Sequence, residues 1–323
     1  MLEHLFPERN EYIDKYLFPF EKEELENIGT QYFELIISIE KFLTDKSYIS
    51  SIAIPADIKY CALDFKYGEN IEEVTSEAEF EILEKINAEL DAILPHTQIE
   101  YLYCGIQVKN IAAYTNLKTL ILENCDIYYP LNDLPASLIR LEIFVLEFSR
   151  ELDNLPPNLK VLRIDTGGIG DYCSGYPHPL NNLPSGLEIL YFPETIAMDS
   201  QDYPANFDNL PSLLKYLYLP PYLAASTNFD AIPESVEVIE FHNYPKFIEK
   251  INKYPTSLKK IFTNCNVYKN YEPFDEDIEL IDEDIELIKT CLIKKQYFGK
   301  FDFYLKKAFL DTKEYKLIFE ISQ

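Results

Sequence analysis

A short phrase, L-P-x-x-L-x-x-L-x followed by an apolar residue, constrains this chain more than any other feature of its sequence. Copies open at Leu134-Pro135, Leu155-Pro156, Leu183-Pro184 and Leu210-Pro211, then in relaxed form at Ile232-Pro233 and Tyr254-Pro255. The apolar residue three positions after each Pro serves as an anchor. The anchors Leu138, Leu159, Leu187, Leu214, Val236 and Leu258 follow one another at steps of 21, 28, 27, 22 and 22 residues. Anchor+3 and anchor+5 are apolar as well (Leu141 and Ile143, Leu162 and Ile164, Leu190 and Phe192), an alternation that reads as a strand with one buried face. One such strand cannot bury that face alone, so successive copies are expected to stack in parallel around a shared core. Anchor−7 is apolar in every copy (Leu131, Leu152, Leu180, Phe207, Phe229, Ile251) and is expected to plug that core from the far side of each coil. Pro at anchor−3 fixes φ and donates no hydrogen bond, which suits an extended approach to the strand and forbids a helix through that point.

A fixed phrase at a period of about 20 to 29 residues is the mark of a leucine-rich-repeat solenoid. Asx residues fill anchor−6 and anchor−5 in the first four copies, from Asn132-Asp133 to Asp208-Asn209. Their short polar side chains are expected to bond nearby backbone and close the turn before the Pro. The strings from Pro130 to Pro135, Pro179 to Pro184 and Asn206 to Pro211 resemble FNIP repeats, a leucine-rich-repeat variant of amoebal and giant-virus proteins. The phrase is also similar to the L-P-x-x-L units of secreted bacterial effectors. The resemblance covers roughly residues 110 to 266, the two long steps depart from its period, and it implies a curved interaction scaffold without chemistry of its own. The expected fold class is therefore α/β: a leucine-rich-repeat solenoid with a parallel β-sheet on its concave face, a helical N-terminal cap and a mixed C-terminal cap.

Charge narrows the partners. The 323 residues carry 29 Lys plus Arg against 55 Asp plus Glu, a formal net charge of −26. Such a surface repels nucleic acid and anionic lipid. Six cysteines (Cys61, Cys104, Cys125, Cys173, Cys265, Cys291) are scattered without a C-x-x-C or a close pair, which reads as reduced, structural thiols. The opening residues, Met1-Leu2-Glu3-His4-Leu5, lack a basic region followed by a long apolar run, and no stretch approaches the ~18 apolar residues of a membrane span. The expectation is a cytoplasmic protein without nucleic-acid or membrane partners, with secretion by a signal-less route left open.

Along the chain, residues 1–47 read as helical, with apolar stripes through Ile13, Tyr16 and Leu17, and through Leu25, Ile28, Phe33 and Leu35 to Ile37. These strings, with Leu5-Phe6-Pro7-Glu8 ahead of them, resemble an F-box, a small helical adaptor motif. The resemblance implies docking to a ubiquitin-ligase adaptor; the plain alternative is an N-terminal cap. Residues 48–98 read as a lead-in cap with a first repeat strand after Ile58 and a helix opened by the capping box Ser76-Glu77-Ala78-Glu79. That helix places Phe80, Leu83, Ile86 or Asn87, Leu90 and Ile93 on one face and ends at Pro95. Residues 99–270 hold the repeats, with Pro-less copies anchored at Ile99 and Leu117, so nine strands are expected. Residues 271–323 read as a C-terminal cap: an acidic duplicated segment from Asp275 to Ile288 suits an amphipathic helix, and residues 300–323 suit strand or helix. Thr166-Gly167-Gly168-Ile169-Gly170 reads as a turn-forming insertion, not a phosphate loop, because Tyr176-Pro177-His178-Pro179 denies a helix start behind it and no Lys is near.

Function is then sought on the strand face turned away from the leucines. Anchor+1, +2 and +4 are expected to point out of the concave face, which is relatively basic and rich in Tyr. Exposed Tyr and Arg dominate protein interfaces. Tyr191, Tyr216 and Tyr218, adjacent across rungs, are expected to anchor a protein ligand together with Tyr101 and Tyr103, while Arg140 and Arg163 meet its acids. Strand-favouring Tyr tiling a sheet would give the same pattern. No cofactor or metal set stands out, and the four scattered histidines (His4, His96, His178, His242) pair with no nucleophile phrase, so an enzyme is not expected.

Overall fold

The computed structural model describes residues 35–64, 76–123, 127–145, 148, 150–152, 154–165, 176, 178, 180–194, 207–219, 228–242, 253–265, 301–307 and 315–321. Ten strands run in parallel through one sheet in chain order: β1 (Leu35–Ser38), β2 (Tyr60–Asp64), β3 (Tyr101–Cys104), β4 (Thr119–Glu123), β5 (Arg140–Phe144), β6 (Val161–Asp165), β7 (Ile189–Glu194), β8 (Tyr216–Leu219), β9 (Val238–His242) and β10 (Lys260–Cys265). The nine strands from β2 to β10 sit at anchor+2 of their copies, as the phrase requires. Register follows it too: Leu120, Leu141, Leu162, Leu190 and Leu217 are successive partners across the rungs. Every one of these leucines is at most 1% exposed, and with the anchors they form a single apolar spine. The anchor−7 plugs join the same spine: Leu131, Leu152, Leu180, Phe207 and Phe229 are buried, and the Phe192, Phe207 and Phe229 rings meet at 5.3 and 5.5 Å.

The Pro does more than approach the strand. Its carbonyl accepts the anchor's N–H three residues on, at 3.0 Å for Pro135 to Leu138, Pro156 to Leu159, Pro184 to Leu187 and Pro211 to Leu214. Each copy is thus a β-turn that delivers the anchor into the core. Tyr114 gives its carbonyl to Leu117 at the same distance, so a copy without Pro keeps the turn. A second repeated device joins the coils. The carbonyl of anchor+1 accepts two N–H groups from the next coil: Lys118 from Ile139 and Arg140, Lys160 from Glu188 and Ile189, Glu188 from Lys215 and Tyr216. The 28- and 27-residue steps leave this ladder intact. Among the described residues they leave a register shift between β6 and β7, where Asp165 pairs with Glu194, beside Pro193, whose missing N–H cannot take part in a ladder.

Two of the Asx side chains reach the neighbouring coil. Asp230 Oδ1 accepts the N–H of Lys253 at 3.1 Å and Asn228 donates to Asp208, so these side chains tie one coil to the next. The residue before the anchor does the same: Ser137 and Ser235 donate to the carbonyls of Leu117 and Leu214, and Asn158 to that of Ala136.

At the leading end the helical reading of residues 35–38 is overturned. Leu35 to Ser38 form β1, paired in parallel with β2, and only the following residues turn helical, as α1 (Ile39–Thr44) and α2 (Tyr48–Ser51). The remainder of the F-box-like stretch, residues 1–34, lies outside the described residues. Helix α3 (Ser76–Ile93) opens at Ser76 and gives way to a 3-10 turn containing Pro95. Ile86 and Leu90 are buried on the spine and Leu83 is buried too, whereas Phe80 is 40% exposed beside Tyr128 and Tyr129. Buried Asn87 fixes the helix in place: it donates to the carbonyls of Leu83 and Gln107 and accepts the N–H of Lys109. At the far end residues 301–307 and 315–321 are strands, β11 and β12, with β12 antiparallel to both β10 and β11. The duplicated acidic segment, Cys125, Cys173, Cys291 and the glycine-rich insertion lie outside the described residues. Cys61 and Cys104 are buried, and burial pushes the Cys61 thiol up to about 12, so it is inert at neutral pH. No helix among the described residues is long and apolar enough to cross a membrane.

Candidate functional site

Alternation puts anchor+2, anchor+4 and anchor+6 on the sheet face opposite the spine. The expectation that the anchor+2 and anchor+4 side chains point out into solvent is corrected: Tyr101, Tyr103, Arg140, Tyr191, Tyr216 and Tyr218 are all buried, at 4, 8, 3, 3, 0 and 4% exposure. The reason is lateral. Parallel rungs lie about 4.8 Å apart, so large side chains in register close over one another. Tyr191 packs its ring 5.4 Å from that of Tyr216 and 5.2 Å from that of Tyr218. The tyrosines do not form one patch. Val161, Ile189, Tyr191, Tyr216, Tyr218 and Val238 make one buried cluster, and Ala62, Tyr101, Tyr103 and Ile121 make another.

Between the two clusters the face is charged. Arg140 and Glu142, two apart on β5 and therefore on one side of it, form an ion pair that is buried at both ends. Arg163, the register partner of Glu142 on β6, holds its guanidinium 4.7 Å from the ring of Phe144 and 4.9 Å from that of Tyr191. Such cation–π contacts, on two sides here, fix an otherwise flexible side chain. Glu123 stands opposite Phe144 in register, and burial raises its carboxyl above the usual carboxylate range. Thr119, Glu123, Phe144 and Arg163 are only half-buried, so the face reaches solvent at this break. A second buried carboxylate, Glu240, accepts the Tyr216 hydroxyl inside the larger cluster.

The basic character expected of the face is largely consumed by ion pairs. Along anchor+1, Glu100 lies between Lys59 and Lys118, Glu188 between Lys160 and Lys215, and Glu237 meets Lys259. Ile139 breaks this exposed ladder beside β5, next to the charged gap.

Sequence reading singled out Arg140 and Arg163 but passed over Glu142, Phe144 and Glu123. The signal was present: Arg140-x-Glu142 at period two, and an anchor+6 row obtained by extending the alternation one step. Among the described residues no group of three or more His, Cys, Asp and Glu side chains is placed to hold a metal ion.

Comparison with known proteins adds little beyond the geometry. No protein-family model matches the chain, and no curated protein does. One solved structure is similar, described as the crystal structure of CroV588, a novel circular LRR protein. It shares 18% identity over 56% of this chain, with a TM-score of 0.24. The matched region spans 38% of that protein's length.

Proposed function

We propose that the protein is a non-enzymatic scaffold that binds another protein on the face of its sheet opposite the leucine spine, its concave side. One observation carries the reading: a half-exposed guanidinium, Arg163, clamped between Phe144 and Tyr191 beside the buried Arg140–Glu142 pair. The spine on the other side already buries what the fold requires. Burying the Arg140–Glu142 pair in a second layer adds little to stability, which favours a role in recognition. Preformed Arg and aromatic groups at the centre of an interface are typically worth about 2 kcal/mol or more each. Tyr101 and Tyr103 on one side, and Tyr216 and Tyr218 on the other, then act as rigid walls and not as exposed anchors. The adaptor reading of residues 1–47 stands apart from this proposal and gains nothing from the strand at its end.

The test is affinity capture from the native cell with wild type, with Arg163→Ala plus Phe144→Ala, and with Lys85→Ala on the remote face of α3 as control. Partners kept by wild type and the control but lost by the double variant are expected. Full retention by the double variant refutes the assignment of the site.

A further inference from the structure

The scaffold reading leaves the partner's chemistry unspecified, and the charged break supplies it. Both contacts from Arg140, through Nε and Nη2, fall on Oε1 of Glu142. The other oxygen, Oε2, is buried and accepts no hydrogen bond, although the residue is only 2% exposed. A buried charged acceptor without a donor is a costly arrangement in a low-dielectric setting. Glu123, on the neighbouring rung, is a second, partly desolvated carboxylate; burial first, and the charge of Glu142 after it, push its carboxyl upward, while a hydrogen bond from the Tyr103 hydroxyl and the charge of Arg163 work the other way. The atom left unmet here is thus an acceptor, in a cluster whose Arg140 is committed to Oε1 and whose Arg163 is stacked between rings. What Glu142 Oε2 lacks is a donor.

We propose that the gap between the two aromatic clusters receives a lysine or arginine side chain from a protein partner. Its charged head donates to Glu142 Oε2 and Glu123, and its aliphatic stem lies along Phe144. The inference rests on the scaffold reading above. Charge complementarity supports it at long range: a chain with net charge −26 draws in basic segments and opposes acidic ones, the more so at low salt. An acidic partner would face that field and still leave Oε2 unmet.

Panning a phage library of random peptides on the folded full-length chain tests this, followed by fluorescence polarisation of the enriched peptides. The enriched peptides are expected to share a Lys or Arg. Replacing that residue by norleucine should weaken binding about tenfold or more, and so should Glu142→Gln or Glu123→Gln in the protein. Glu123→Gln keeps the experiment decisive if Glu142→Gln does not fold, since Glu123 is half-buried and outside the Arg140 pair. Peptides without a shared cation, or with wild-type affinity for both Gln variants, overturn the inference; so does a library that yields no binder. If such peptides are nevertheless lost on Arg163→Ala, the scaffold reading survives and only the cation inference falls. If they also bind Arg163→Ala normally, both fall.

Discussion

Substituting the Arg140–Glu142 pair separates what the second face contributes to folding from what it contributes to binding. Arg140 is 3% exposed and Glu142 2%, so neither can return to water when its partner is removed. Arg140→Met strips from Glu142 the only donors it has among the described residues, and its Oε2 is already without one. Breaking a buried pair in this way costs about 3–5 kcal/mol. Glu142→Leu strands a buried guanidinium and should cost a similar amount. The double variant Arg140→Met/Glu142→Leu leaves no orphaned charge, and the flanking rungs present Ile121 and Val161, which accept apolar neighbours. Its stability should come within about 1 kcal/mol of wild type, or exceed it by up to about 4 kcal/mol. Urea unfolding followed by far-UV circular dichroism and by tyrosine fluorescence, in a chain without Trp, measures this. Coincidence of the two transitions guards against rungs melting separately. A double variant as unstable as either single one refutes the argument, because the pair would then be part of what holds the fold together.

The turn at the head of each copy makes a second prediction. Pro184→Ala keeps the carbonyl that accepts the Leu187 N–H at 3.0 Å, so it should cost only about 0.4–1 kcal/mol through the unfolded chain. Leu187→Ala, at 0% exposure, should cost about 3–5 kcal/mol. Equal losses in urea midpoint would mean that the ring, not the carbonyl, makes the turn. A third concerns Glu234, which accepts from Lys253 and from the Thr256 N–H and hydroxyl; these bonds, led by Lys253, lower its carboxyl to about 2. Because the folded value lies below the unfolded one near 4.5, its contribution is present above about pH 4.5 and fades as pH falls toward 2. Wild type minus Glu234→Gln should therefore show a stability difference at pH 6 that vanishes near pH 2, and a difference independent of pH would refute it.

The repeats were legible because the phrase is local. A Pro turn, an anchor and a period-two strand place every rung from β2 to β10 without knowledge of the rest of the chain. Strand β1 was not legible: Leu35, Ile36 and Ile37 run on without alternation and without a Pro turn ahead of them, and an unbroken apolar run fits a helix as well as a doubly buried strand. Its identity comes from pairing with Cys61 to Asp64, a contact made at a distance in sequence. The second face was half legible. Alternation assigns Tyr191 and Tyr216 to a side of the sheet but says nothing of what lies over them, so exposure was inferred where the rings in fact cover each other. Arg140-x-Glu142 was visible as two charges; that they satisfy one another, and leave an oxygen over, is a matter of side-chain geometry.

The doubled N–H contacts to each anchor+1 carbonyl carry a consequence for how such a molecule tolerates change in length. Consecutive rungs are clipped together at the start of the strand, upstream of wherever additional chain is accommodated, as the neighbours separated by 28 and 27 residues demonstrate. Extra residues spliced in behind the strands would leave the order and spacing of the side chains displayed on the sheet as they are. Decoration of the back and composition of the front can therefore be altered one without the other, by selection or by an engineer.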